Sequence, residues 1–186
     1  MEKFSSIYER ACERHGGATA VAGLMPKARS ARALATTNNN RWLSEMTHCI
    51  FQAGFVWRVV DRKWDDFEDV FFGFPPEKIL MLSPDQIDRF AQNPRIIRNR
   101  QKVLSIQANA QYIVDIQQEH GSFGRFVSRW PEDDLIGLFQ HMKKHGSRLG
   151  GMSGQRVLRN MGKDTYLVTG DVVRCLQNAG LDIKNN

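Results

Sequence analysis

Residues 41–61 read RWLSEMTHCIFQAGFVWRVVD. Placed on a helix, Leu43, Met46, Ile50, Ala53 and Trp57 step by three or four positions and form one face. Trp42, Glu45, Cys49, Gln52 and Val56 form a second face, which carries an indole, a carboxylate and an amide. Such polar groups stay out of water only when they are satisfied. Two readings follow. The polar groups bond to a neighbouring loop, or the face lines a pocket for a ring with hydrogen-bonding edges. An aromatic, a carboxylate and an amide are the side chains that hold a purine. Gly54 costs about 1 kcal/mol against Ala inside a helix, and reads as a point of close packing against another element.

The same periodicity extends along the chain, and strand signals are nearly absent. A first helix is expected over 2–15, closed by Gly16-Gly17, with a less defined stretch over 24–40. TTNNN (36–40) is a turn or N-cap cluster ahead of the 41–61 helix. DRKWDDFEDVFFGF gives a shorter helix stopped near Gly73, and Pro75-Pro76 opens another over 77–81. Ser83-Pro84-Asp85-Gln86 is a capping box with proline at the first helical position. A long helix is expected over 99–119, with Val103, Ile106, Ala110, Ile113 and Val114 on its apolar face. Shorter helices follow at 122–130, 133–145, 152–161 and 171–178. The fold class is all-α, about ten helices with short turns, in a single domain over 1–186 with no internal repeat.

The chain has 186 residues, 41% of them apolar, and a formal net charge of +6. That length buries a core without disulfides or a metal. No apolar run is long enough to cross a membrane, and the charged N-terminus lacks the apolar core of a signal peptide. Cys12, Cys49 and Cys175 stand far apart, which argues against a disulfide framework and for a reducing, cytoplasmic home. The positive charge points to an anionic partner or is merely that of a mildly basic protein. Its distribution is uneven: Arg89, Arg95, Arg98, Arg100 and Lys102 fall in a stretch without any acid.

KKHGSRLGGMSGQRVLRNMG (143–162) is a helix, a glycine-rich turn and a second helix. It is an ordinary αα-turn or a helix-hairpin-helix, spanning about 133–162, that offers amides and a helix N-terminus to a DNA phosphate. In the second reading Gly146, Ser147, Arg148, Gly150 and Gly151 contact the backbone, beside Lys143 and Lys144. Such contacts position the protein without reading sequence. Asp171, in TYLVTGDVVRCL, is a helix N-terminal acid, or a carboxylate that stabilises a cationic sugar or steers water.

Taken together these segments resemble the DNA-3-methyladenine glycosylase I family, within the helix-hairpin-helix glycosylases. FQAGFVWRVVDRKWDDFEDVFFGFPPEKI (51–79) looks like the family's Q-A-G-x-x-W and the proline turn that follows it. In RIIRNRQKVLSIQANAQ (95–111), Ile96, Ile97, Arg98, Lys102, Ile106, Asn109 and Ala110 are similar to a second family segment. LFQHMKKHGSRLGG (138–151) resembles its hairpin, so the likeness covers roughly 42–162.

The resemblance implies two helical lobes around a base-binding cleft. It also implies a monomeric, cytoplasmic repair enzyme that cleaves the N-glycosidic bond of alkylated purines in double-stranded DNA, chiefly 3-methyladenine. Trp57 or Trp42 would stack on the flipped base, with Gln52, Cys49 and Glu45 at its edge and Lys102 and the hairpin on the backbone. The family's pocket glutamate falls at Cys49, and Glu45, one turn earlier, would replace it. The family's zinc ligands have no match, so no metal is expected, though a monovalent cation at the hairpin fits the turn. Other superfamily members carry a catalytic aspartate heading the last helix, a role that would fall to Asp171 beside Glu45. A non-catalytic damaged-DNA-binding protein on the same scaffold is the alternative.

Overall fold

The computed structural model describes residues 2–183. It is helical, with no strand among the described residues. The chain forms two compact units: Arg29–Thr165, and a second made of segments 1–28 and 166–186. The second holds α1 (Phe4–His15), α2 (Ala18–Leu24) and α13 (Gly170–Asn178); α2 packs on α1, and the Glu2 amide, just before α1, donates to the carbonyl of Ala179, the C-cap of α13, at 2.9 Å.

The larger unit holds ten helices. They begin with α3 (Ala31–Ala35), α4 (Asn39–Gln52), α5 (Trp57–Arg62), α6 (Trp64–Val70) and α7 (Pro76–Leu80). They continue with α8 (Pro84–Ala91), α9 (Arg100–His120), α10 (Phe123–Arg129), α11 (Leu135–His145) and α12 (Met152–Asn160). The sequence signals explain the starts. Asn38, from the TTNNN cluster, caps α4 by accepting from the Asn40 amide, and Ser83 and Gln86 form both halves of the capping box of α8. The core gathers around α4 and α9, which pack on each other, with α7 on α9 and α12 on α4. Phe51, Phe67, Phe71 and Phe74 are fully buried there, and Trp64 stacks parallel to Phe74 at 5.7 Å.

The helix expected over 41–61 is two helices. α4 ends at Gln52 and α5 begins at Trp57. The break sits at Gly54, whose φ of +77° is left-handed, a conformation that strains any residue with a Cβ. No atom lies within 4 Å of the position a Gly54 Cβ would take. Its glycine therefore serves the turn, and not the close packing expected from the sequence. Val56 leaves the polar face of α4, and Trp57 leaves its apolar face.

Lys102 ends α4. Its ammonium donates to the carbonyls of Phe51 (3.1 Å) and Ala53 (2.6 Å), and its centre lies 4.4 Å from the Phe55 ring centroid. The cation sits where the α4 dipole is negative and its last carbonyls lack helical partners. Burial, then the nearby Arg148 charge, lowers the Lys102 pKa from its ordinary value.

Gly54→Ala should cost about 1–2 kcal/mol by backbone strain alone, read from urea unfolding. Lys102→Met keeps the stem and removes both charged hydrogen bonds. It should cost about 1.5–3 kcal/mol and shift hydrogen exchange most at the end of α4.

Candidate active site

The turn after α4 and the first turn of α12 face each other across a pocket of about 210 Å³. Cys49, Gln52, Gly54, Phe55 and Trp57 line one side; Met152, Ser153 and Arg156 line the other. Gln52 is buried and its amide nitrogen donates to Asp61 Oδ1 at 2.9 Å. His48 Nε2 lies 2.9 Å from the same oxygen. A hydrogen bond across the helix break, from α4 to α5, therefore fixes the amide in the pocket wall.

Cys49 lies one turn before Gln52 and is buried. Its thiol donates to Glu45 Oε1 at 3.2 Å, and that oxygen also accepts from Asn160 Nδ2 at 2.7 Å. Burial, then the Glu45 charge, pushes the thiol pKa far above the ordinary thiol range. The thiol is neutral at physiological pH and serves as a hydrogen-bond donor. Glu45 and Asp61 are thus carboxylates bonded to residues of the pocket wall, although neither lines it.

Trp57 is half-exposed, and the Arg156 guanidinium lies 4.1 Å from its ring centroid. Trp42 is elsewhere. It is fully buried, 5.2 Å from the Phe123 ring, and lines no part of this pocket. The stacking role expected for Trp42 gives way to a core role, because Trp42 lies near the N-terminal end of α4, where α10 packs on the helix and the pocket does not reach.

The turn between α11 and α12 is held by Asn109 of α9. Its Nδ2 donates to the Ser147 carbonyl (3.0 Å), and its Oδ1 accepts from the Ser147 amide (2.8 Å). The Ser147 amide expected to meet a phosphate is therefore engaged inside the protein. Gly151, at φ +58°, admits the chain to α12, whose first-turn amides have no acceptor within the helix. Gly146 and Gly150 are half-buried; Lys143, Lys144 and Arg148 are exposed, and Arg148 donates to Gln101 Oε1 at 2.6 Å.

Lys102, expected on the DNA backbone, is buried instead, as the cap of α4. The acid-free stretch around it is also less cationic in three dimensions. Arg95 pairs with Asp66 and Asp69, and Arg100 with Asp88. The acids come from α6 and α8, which no local charge count reveals. Asp171 lies in the smaller unit, in the first turn of α13, with its side chain 95% exposed and 3.9 Å from Arg174. Thr169 caps that helix by accepting from the Val172 amide. Among the described residues no three His, Cys, Asp or Glu side chains converge as a metal site.

Residues 33–179 match the family described as methyladenine glycosylase. The chain belongs to that family. It is 32% identical over 76 residues to DNA-3-methyladenine glycosylase 1 of Escherichia coli (strain K12), a stretch covering 41% of each chain. The DNA-3-methyladenine glycosylase of Haemophilus influenzae matches at the same identity, again over 41% of its length. Each matched stretch thus spans less than half of the curated relative.

Among solved structures, the chain is similar to 3-methyladenine DNA glycosylase I from Staphylococcus aureus, solved to explain 3-methyladenine recognition. The TM-score is 0.60 and the identity 25%, covering 70% of this chain and 80% of that one. A variant of 3-methyladenine DNA glycosylase I in complex with 3-methyladenine is similar at TM-score 0.56 and 26% identity, over 77% and 83% of the two chains.

Within this family fold, Asn160, Asp61 and Asn109 are the site residues that sequence reasoning passed over or left unassigned. Met152, Arg156 and Asn160 recur at four-residue steps along α12, with Ser153 three before Arg156, a face that was there to be read. In alkylation with iodoacetamide, native Cys49 should stay unreactive from pH 7 to pH 9, since the thiolate is the nucleophile. In urea it should label at the rate of an ordinary thiol; mass spectrometry of the peptides checks both.

Proposed function

We propose that this chain is a DNA glycosylase that hydrolyses the N-glycosidic bond of alkylated purines such as 3-methyladenine. The observation that carries the reading is the pocket itself. It joins the Q-A-G-x-x-W turn to the first turn of the hairpin's second helix, with Trp57 on its wall and Glu45 bonded behind it. A duplex base reaches such a pocket only when flipped out of the stack. The exposed Lys143 and Lys144 and the amides that open α12 suit the flanking phosphates.

The reaction breaks the bond between the base nitrogen and sugar C1′, and the electron pair leaves with the base. Water oxygen bonds to C1′ and a water proton is released. A base already cationic departs neutral, so little acid catalysis is needed. Positive charge develops on the sugar instead, and a carboxylate near the pocket stabilises it. We assign that role to Glu45, which Asn160 and Cys49 hold in place. Asp171 is the second carboxylate in this reading. The enzyme acts as a monomer and without a metal.

The test is release of free 3-methyladenine from methylated duplex DNA under single-turnover conditions. Glu45→Gln should slow release roughly 10²-fold, and wild-type release should continue after dialysis against EDTA. Asp171→Asn, run alongside, assigns the catalytic carboxylate: loss there with full activity in Glu45→Gln reverses the assignment. Tight, salt-dependent DNA binding without released base would overturn the enzyme reading in favour of a damage-binding protein.

A further inference from the structure

Arg156 is the one residue with a permanently charged side chain among those lining the pocket. Arg156 is half-buried, with its guanidinium over the Trp57 ring. No ion pair or hydrogen bond holds its N–H donors among the described residues. Beside it the Cys49 thiol is neutral, and the Glu45 oxygen behind that thiol already accepts from Asn160. A purine entering this pocket therefore meets a fork of free donors and a positive charge. A carboxylate is not the group facing it.

The two kinds of purine differ in what they ask of such a wall. A cationic N-alkylated base is repelled by a guanidinium and needs no help to leave, because it departs neutral. An uncharged purine leaves as an anion until water protonates it, and this departure is the harder one. A guanidinium at its edge favours it twice. It pairs with two adjacent acceptors, as arginine does with O6 and N7 of guanine, and it stabilises the negative charge developing on those atoms.

We propose that Arg156 is a specificity-determining residue that extends the pocket to uncharged 6-oxopurines, of which hypoxanthine is the simplest, by pairing with O6 and N7. The overall change is the same hydrolysis. The bond to C1′ breaks, water oxygen takes its place, and a water proton ends on the departing base. This inference rests on the glycosylase reading above.

The experiment compares wild type, Arg156→Ala and Arg156→Lys on two substrates: methylated duplex DNA, and a duplex with a single hypoxanthine. Circular dichroism confirms that each variant is folded, and Arg156→Lys serves if the alanine variant is not. Wild type should release both bases. Arg156→Ala should lower the ratio of hypoxanthine to 3-methyladenine release at least about tenfold, the discrimination of one bidentate pair. Arg156→Lys, which keeps the charge but not the fork, should lower it too. An equal fall on both substrates would mean that Arg156 grips phosphate, and would overturn the proposal. So would release of 3-methyladenine alone by the wild type. If neither base is released, the glycosylase reading fails and this inference fails with it.

Discussion

The ammonium of Lys102 at the end of α4 is the contact on which the site depends. A helix end leaves carbonyls without partners, and burying them unsatisfied costs about 1–3 kcal/mol each. Lys102 places a full positive charge on two of these carbonyls. The helix can then stop at Gln52, inside the protein, and the chain can turn through Gly54. Had α4 run on to Asp61, Trp57 would have continued the apolar stripe and the pocket would have no wall.

Asn109 lies two helical turns after Lys102 on α9, so both side chains leave the same face of that helix. One ends α4 and the other ties the turn before α12. The two walls of the pocket thus hang from a single rigid helix of 21 residues. Their spacing is set by backbone geometry. The flexible side chains that line the pocket do not set it. Lys102 and Asn109 also fall in the segment whose likeness to the family was recognisable, and their contacts supply a physical reason for residues of those types there. The chain uses them as internal braces, which is a different use from gripping nucleic acid.

Charge behaves the same way. The stretch from Arg89 to Val114 looks like a basic stripe, yet Arg95 and Arg100 are paired with acids of α6 and α8, and Lys102 is buried. Exposed ion pairs of this kind add little stability, but they weaken the stripe's long-range field, leaving Arg89 and Arg98 exposed in it. The unpaired cation that matters for the site is Arg156, which is in the pocket wall.

Local physics was legible in the chain. The 3.6-residue periodicity, the Ser83 capping box, the Asn38 cap and the glycine-rich hairpin mark the helices and most of their ends, since each depends on residues within one or two turns. Glu45, Cys49 and Gln52 could be placed on one face of α4 for the same reason, and the Q-A-G-x-x-W spacing pointed to the family. The tertiary structure alone decided which groups meet. Asn160 reaches Glu45 across 115 residues and Lys102 reaches Phe51 across 51. Periodicity carries no information about such pairs, because any partner of the right shape and charge serves. Trp42 was bound to face the core or a pocket by its place on α4, and only the packing of α10 chose the core. The break at Gly54 was visible as a residue. Its meaning came from the lysine of another helix that made ending there favourable.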